Sequence, residues 1–135
     1  MLIAIKRVFK KAPLLERIGR GSEKIKETSL TIIIPTYNEE LQIRDCILSI
    51  LRNIEACKNW NIIVVDDCST DATIMVANDI KRTNKVASKK LSIVQAGARP
   101  KGERWVGKNW PCSRAYELSK SSWILFLDAD VELSN

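Results

Sequence analysis

The chain has 135 residues, 45% of them hydrophobic and 28% charged, with a formal net charge of +6; this is the composition of one folded globular domain and excludes disorder along the whole length. No apolar run approaches the ~20 residues that cross a bilayer as a helix, and the lack of any histidine excludes imidazole as base, nucleophile or metal ligand. Residues 1–28 hold eight Lys/Arg and three Glu, whereas residues 29–135 hold fourteen Lys/Arg and thirteen Asp/Glu, so a nearly neutral domain follows a basic leader, a distribution that argues against nucleic acid as a partner.

In chain order, Leu2, Ile5, Val8 and Phe9 recur at helical spacing among Lys6, Arg7, Lys10 and Lys11. Two readings of this leader stand: a basic amphipathic helix on an anionic membrane surface, or a solvated leader. Residues 19–29 read as a linker. Leu30–Ile34 is a β-branched run stopped by Pro35 and predicts a buried strand. Ile43, Ile47, Ile50, Leu51 and Ile54 predict an amphipathic helix over Glu39–Cys57. Asn61–Val65 predicts a second strand, closed by Asp66-Asp67. Ser69, Thr70 or Asp71 would cap a helix running to about Arg82. Leu91–Gln95 is a weaker strand, followed by a long loop over 96–110. Pro111 suits the first turn of a helix reaching Lys120, and Trp123–Leu127 is the last strand, running into Asp128-Ala129-Asp130.

Strand and helix alternate, which predicts an α/β fold: a mainly parallel, Rossmann-like sheet with helices on both faces. In such sheets ligands bind beyond the carboxyl ends of the strands. Polar residues stand at those exits: Pro35 to Glu39, Asp66 to Ser69, the stretch 96–110, and Asp128 with Asp130. Two carboxylates two residues apart repel unless donors or a cation lie between them, and Mg²⁺ or Mn²⁺ carrying diphosphate oxygens would suit; a pair of turn or capping aspartates is the plainer alternative. At Asp66-Asp67, one carboxylate can accept from a base or ribose while the other caps the next helix, or both can cap. Cys46, Cys57, Cys68 and Cys112 form no C-x-x-C pair and read as free thiols of a reducing compartment. With no cleavable signal peptide visible, the location expected is cytoplasmic, with a peripheral place on the inner face of the cell membrane if the leader binds lipid.

Three stretches, IIIPTYNEE at 32–40, VVDDCSTDAT at 64–73 and ILFLDAD at 124–130, resemble in order and spacing the N-terminal signatures of family-2 glycosyltransferases. The resemblance covers about residues 29–133. It implies a partial GT-A fold and a nucleotide-diphosphate sugar, most often a UDP-sugar, as ligand. Pro35, Tyr37 and Glu39 would lie in the first nucleotide-binding loop, and Asp67 would contact the base with Asp66 beside it. Lys108 would sit near the nucleotide or diphosphate, Asp128 at ribose or sugar, and Asp130, with Asp128, at the Mg²⁺ or Mn²⁺ that bridges the diphosphate. Trp105 to Cys112 is similar to the W-x-G-K-x-W stretch of hopene-associated and carotenoid-type lipid glycosyltransferases, which implies a lipid acceptor; Trp105 and Trp110 would form an apolar wall beside the sugar or else anchor the loop in the core. Family members continue beyond the D-x-D with an acceptor-binding half carrying a general base. The resemblance therefore implies a donor-binding half, residues 29–135, from a truncated or split gene or an excised fragment, inactive alone or active only with a complementary C-terminal half on another chain. The alternative is a non-catalytic membrane-surface or interaction protein on an α/β scaffold.

Overall fold

A computed structural model of the chain describes residues 3–6, 29–54, 59–102 and 105–134. In chain order the elements are β1 (Ile3–Lys6), β2 (Ser29–Thr36), α1 (Ile43–Asn53), β3 (Asn59–Asp66), α2 (Thr73–Thr83), α3 (Ala87–Lys90), β4 (Leu91–Gln95), α4 (Asn109–Leu118) and β5 (Trp123–Phe126). They build one sheet in the order β1-β5-β2-β3-β4. The pairs β2–β3, β2–β5 and β3–β4 are parallel, and β1 runs antiparallel along β5.

Burial on both faces explains the unbroken isoleucine run of β2. Ile32 and Ile34 point to one face and pack with Ile43, Ile47 and Ile50 of α1 and Ala77 and Ile80 of α2. Ile33 points to the other and packs with Ile63, Val65, Trp110 and Ala115, so α4 covers that side. Each such side chain contributes about 1.5–3 kcal/mol by leaving water. Helices on both faces of a mainly parallel sheet are what the alternation predicts.

Several boundaries differ from the sequence reading. Helix α1 begins at Ile43 because Glu39–Gln42 form a turn first, in which the Glu39 carbonyl accepts from the Gln42 and Ile43 amides at 3.1 and 2.9 Å. Its expected end at Cys57 lies outside the described residues. None of Ser69, Thr70 or Asp71 takes the capping position of α2, which Ala72 occupies. Asp71 instead accepts the Thr73 amide at 3.0 Å, inside the first turn. The short helix α3 has no counterpart in the reading. In the leader, Ile3–Lys6 is extended, not helical: its backbone pairs with β5 and covers an edge that would otherwise leave amides and carbonyls unpaired. The rest of the leader, on which the expected amphipathic helix falls, lies outside the described residues. Among the described residues, no helix is long and apolar enough to cross a membrane.

Candidate functional site

The first two strand exits are laced together by polar bonds. The Asn38 amide donates to Ser69 Oγ at 2.9 Å, and the Asn38 side-chain carbonyl accepts the Thr70 amide at 2.8 Å. The Glu39 amide donates to Thr73 Oγ1 at 2.7 Å, the Glu40 amide to Asp71 at 3.1 Å, and the Ala72 amide to the Glu40 carboxylate at 2.8 Å. Asn38 and Cys68 both sit at positive φ, 55° and 65°. Asparagine tolerates that region through local side-chain bonding, and at Cys68 the turn is held by Ser69, whose amide donates to the buried Asp66 at 3.1 Å.

These laced loops form one wall of a cleft of about 580 Å³ at the carboxyl ends of β2 and β3. Pro35, Tyr37, Glu39, Asp67 and Lys108, all expected at the site, line it. Asp66 does not. It is 1% exposed and accepts from the Thr36 hydroxyl and the Ser69 amide. Asp66, expected at the nucleotide, is thus placed away from the cleft lining: an extended chain turns neighbouring side chains to opposite sides, and here Asp66 closes the turn while Asp67 reaches the cleft. Arg99, which the sequence reading did not single out, lines the cleft opposite and donates to Asp67 at 2.8 Å. The signal available was its place just beyond β4; its partner, 32 residues upstream, is visible only in three dimensions.

At the far end, Lys108 Nζ donates to Asp128 at 2.7 Å. Burial disfavours the Lys108 ammonium, yet its bond to Asp128 and the charges of Asp128, Asp130 and Glu39 outweigh that and hold its pKa above the ordinary lysine value. Glu39 is shifted upward, first by burial; Lys108 opposes this, while Asp130, Asp128 and Asp71 add to it. Asp128 and Asp130 thus flank the same acidic corner as Glu39, with Lys108 as its cation, although neither aspartate belongs to the lining of the cleft proper. Ala129 between them is 2% exposed and packs into the core. Among the described residues, no group of three His, Cys, Asp or Glu side chains could hold a metal ion by themselves. Two carboxylates do fit a hard cation that takes its remaining ligands from phosphate and water.

Trp105 and Trp110 take the second of their two open roles. Their rings lie 5.3 Å apart, Trp110 donates to the Gly97 carbonyl at 2.9 Å, and both belong to the core beneath α4. They anchor the loop after β4 and line no part of the cleft. Cys46, Cys68 and Cys112 are free thiols. Burial, with nearby acidic charge, pushes Cys46 up to about 12 and Cys112 to about 11.

Residues 31–135 match the family model for glycosyl transferase family 2, and the chain belongs to that family. It is 30% identical over 101 residues to a poly(ribitol-phosphate) beta-glucosyltransferase of Bacillus spizizenii, covering 75% of this chain and 14% of that protein. It is 29% identical over 107 residues to a 4,4'-diaponeurosporenoate glycosyltransferase of Staphylococcus haemolyticus, covering 79% and 25%. Among solved structures it resembles S. aureus TarS 1-349 in complex with UDP-GlcNAc, with a TM-score of 0.56, 28% identity and coverage of 76% and 26%. It also resembles the mannosyltransferase PcManGT from Pyrobaculum calidifontis in complex with GDP-Man and Mn²⁺, with a TM-score of 0.67, 25% identity and coverage of 80% and 29%. The α/β GT-A sheet implied by the three motifs is thereby established. The chain spans a quarter or less of the length of these two curated relatives.

Proposed function

We propose that the cleft binds the nucleotide-diphosphate sugar donor of a glycosyl transfer, with Mg²⁺ or Mn²⁺ held at Asp128 and Asp130. One observation carries this reading. A single cleft joins a carboxylate–guanidinium pair, Asp67 with Arg99, to a lysine, Lys108, that abuts the D-x-D carboxylates. The first pair offers an acceptor and donors to the edge of a base such as uracil. Lys108 offers an ammonium to the diphosphate. Tyr37 lies open on the cleft wall, 60% exposed, where a ring can lie against a ribose or base. A divalent cation there would neutralise the diphosphate as it leaves. The structural relatives captured with UDP-GlcNAc and with GDP-Man and Mn²⁺ support the donor class.

We propose a lipid as acceptor on narrower grounds, the W-x-G-K-x-W stretch and the diaponeurosporenoate relative. The placement of the two tryptophans in the core gives that proposal no added support. An inverting transfer, with attack of an acceptor hydroxyl on the anomeric carbon and departure of the nucleoside diphosphate, needs a general base, and we assign none to the described residues.

Calorimetry with UDP tests the donor reading. Binding is expected to strengthen when Mn²⁺ is added, to lose that dependence in Asp130→Ala, and to weaken with or without metal in Asp67→Ala. Binding indifferent to Mn²⁺ and to both substitutions would sink it. If, in addition, anionic vesicles captured the chain, the scaffold alternative would gain.

A further inference from the structure

The buried face of α1 is apolar except at one position. Ser49 is 0% exposed among Cys46, Ile47 and Ile50. Its hydroxyl donates to the Cys46 carbonyl of its own helix at 2.8 Å, a common local bond. Its other contact is not local: Ser49 Oγ accepts the amide of Leu133, 84 residues on, at 3.0 Å. Asn53, one turn later, donates both to the Ser49 carbonyl and to the Leu133 carbonyl, each at 2.9 Å. Both backbone groups of Leu133 are thus taken by side chains of α1, although residues 131–134 belong to no helix or strand. Val131 and Leu133 pack on the same core cluster as α1. On the upstream side, the Leu127 amide donates to the Ile33 carbonyl at 2.9 Å, the last tie to β2. Between these two pins lie Asp128, Ala129 and Asp130, with Cys46 Sγ 3.7 Å from the Asp128 carbonyl as a weak intermediate contact.

We propose that Ser49 and Asn53 are positioning residues for the D-x-D carboxylates. By clamping Leu133 they fix the downstream end of the loop whose upstream end β2 already fixes. Asp128 and Asp130, already tied between them by the buried Ala129, are then held at one spacing and orientation by a loop fixed at its downstream end as well. This inference rests on the donor-site reading above and adds to it residues that touch neither metal nor nucleotide. Metal ligands depend on such outer support, and its loss lowers metal affinity by about 10- to 100-fold. The clamp also accounts for a buried hydroxyl on an otherwise apolar helix face, where alanine would pack without a polar group to satisfy.

The test measures Mn²⁺ affinity of the whole chain saturated with UDP, by calorimetry or by the electron paramagnetic resonance signal of free Mn²⁺. Ser49→Ala and Asn53→Ala are each expected to weaken Mn²⁺ by about tenfold or more. Binding of UMP without metal, which depends on the Asp67 end of the cleft, stays unchanged. Ile50→Val, on the same helix face, is the control for stability: it lowers the melting temperature and leaves Mn²⁺ affinity alone. Amide exchange adds a readout free of metal, in which Leu133 exchanges faster in Ser49→Ala while the β2 and β3 amides keep their protection. If wild-type chain shows Mn²⁺-dependent UDP binding and both clamp variants retain it, the inference is wrong and the donor site stands. If Ile50→Val weakens Mn²⁺ as much as the clamp variants do, the effect is stability and the inference is wrong. If wild-type chain binds UDP no better with Mn²⁺, the metal site assigned to Asp128 and Asp130 falls and takes the inference with it.

Discussion

Lys108→Met is expected to move two affinities in opposite directions. The ammonium lies 2.7 Å from Asp128, with side chains 54% and 40% exposed. At that exposure a pair contributes only about 0–1 kcal/mol to folding, so melting should shift by no more than about 4 °C. The site responds more strongly. Without donor, Lys108 competes with any cation for Asp128, so its removal strengthens binding of Mn²⁺ alone. With donor, a charge-assisted bond to the diphosphate is worth about 1.5–3 kcal/mol, so UDP should bind about 10- to 100-fold more weakly at a fixed, saturating Mn²⁺ concentration. Uridine, which lacks the diphosphate, should bind as before. Calorimetry of Mn²⁺, uridine and UDP, each against both chains, reads all three. A variant that binds Mn²⁺ more weakly, or loses uridine and UDP equally, would refute the idea that Lys108 stands between the D-x-D and the phosphates.

Glu39→Gln should stabilise the fold at neutral pH and change it little in acid. The folded-state pKa of Glu39 lies above 4.5, so the native state binds more protons than the unfolded one between those values and loses stability as pH rises through that window; urea midpoints at pH 4 and pH 7.5 check the sign, and an equal effect at both would contradict it. Trp110→Ala should cost about 3–5 kcal/mol, because the ring is 8% exposed, packs on Trp105 and donates to Gly97; a stable variant that lost only sugar affinity would restore the wall reading. A thiol reagent at pH 8 should modify Cys68, which is exposed on the cleft, before Cys46 or Cys112, whose pKa values of about 12 and 11 leave almost no thiolate; peptide mapping resolves the order, and UDP should slow the reaction at Cys68 alone.

The parts legible in the sequence were those whose cause is local. The Ile32–Ile34 run is readable because a strand buried on both faces has no polar alternation to keep. The exits of β2, β3 and β5 are readable because the chain turns polar at once where the sheet ends. What escaped depends on partners distant in sequence. Arg99 matters through Asp67, and Ser49 through Leu133. The tryptophans looked equally suited to a cleft or a core, since an indole serves both, and only the packing against Ile33, Val65 and Ala115 decides it. The strand formed by Ile3–Lys6 was hidden because Ile5 also belongs to the helical spacing of Leu2, Ile5, Val8 and Phe9; the open edge of β5 is what selects the extended form.

The two acidic motifs differ in a way that local chain geometry explains: one lies at a strand exit, the other in a turn. Adjacent residues on a strand exit face opposite sides, so an Asp-Asp pair must divide its labour: Asp66 is buried and closes a turn, and Asp67 meets the cleft and Arg99. Asp128 instead opens a turn that the Val131 amide closes on its carbonyl at 3.1 Å, and there the residue between the two aspartates can be an anchor. Ala129, 2% exposed, is that anchor. It has no polar group to satisfy and is small enough to sink into the core, leaving Asp128 and Asp130 outside with Glu39 and Lys108. The same arithmetic forecasts a swap. Asp66→Asn should weaken the fold through the turn it closes while uridine binding survives in the folded fraction, whereas Asp67→Asn should leave the fold intact and abolish recognition of the base. Comparable losses of stability in both would mean that the pair does not divide its labour as the cleft suggests.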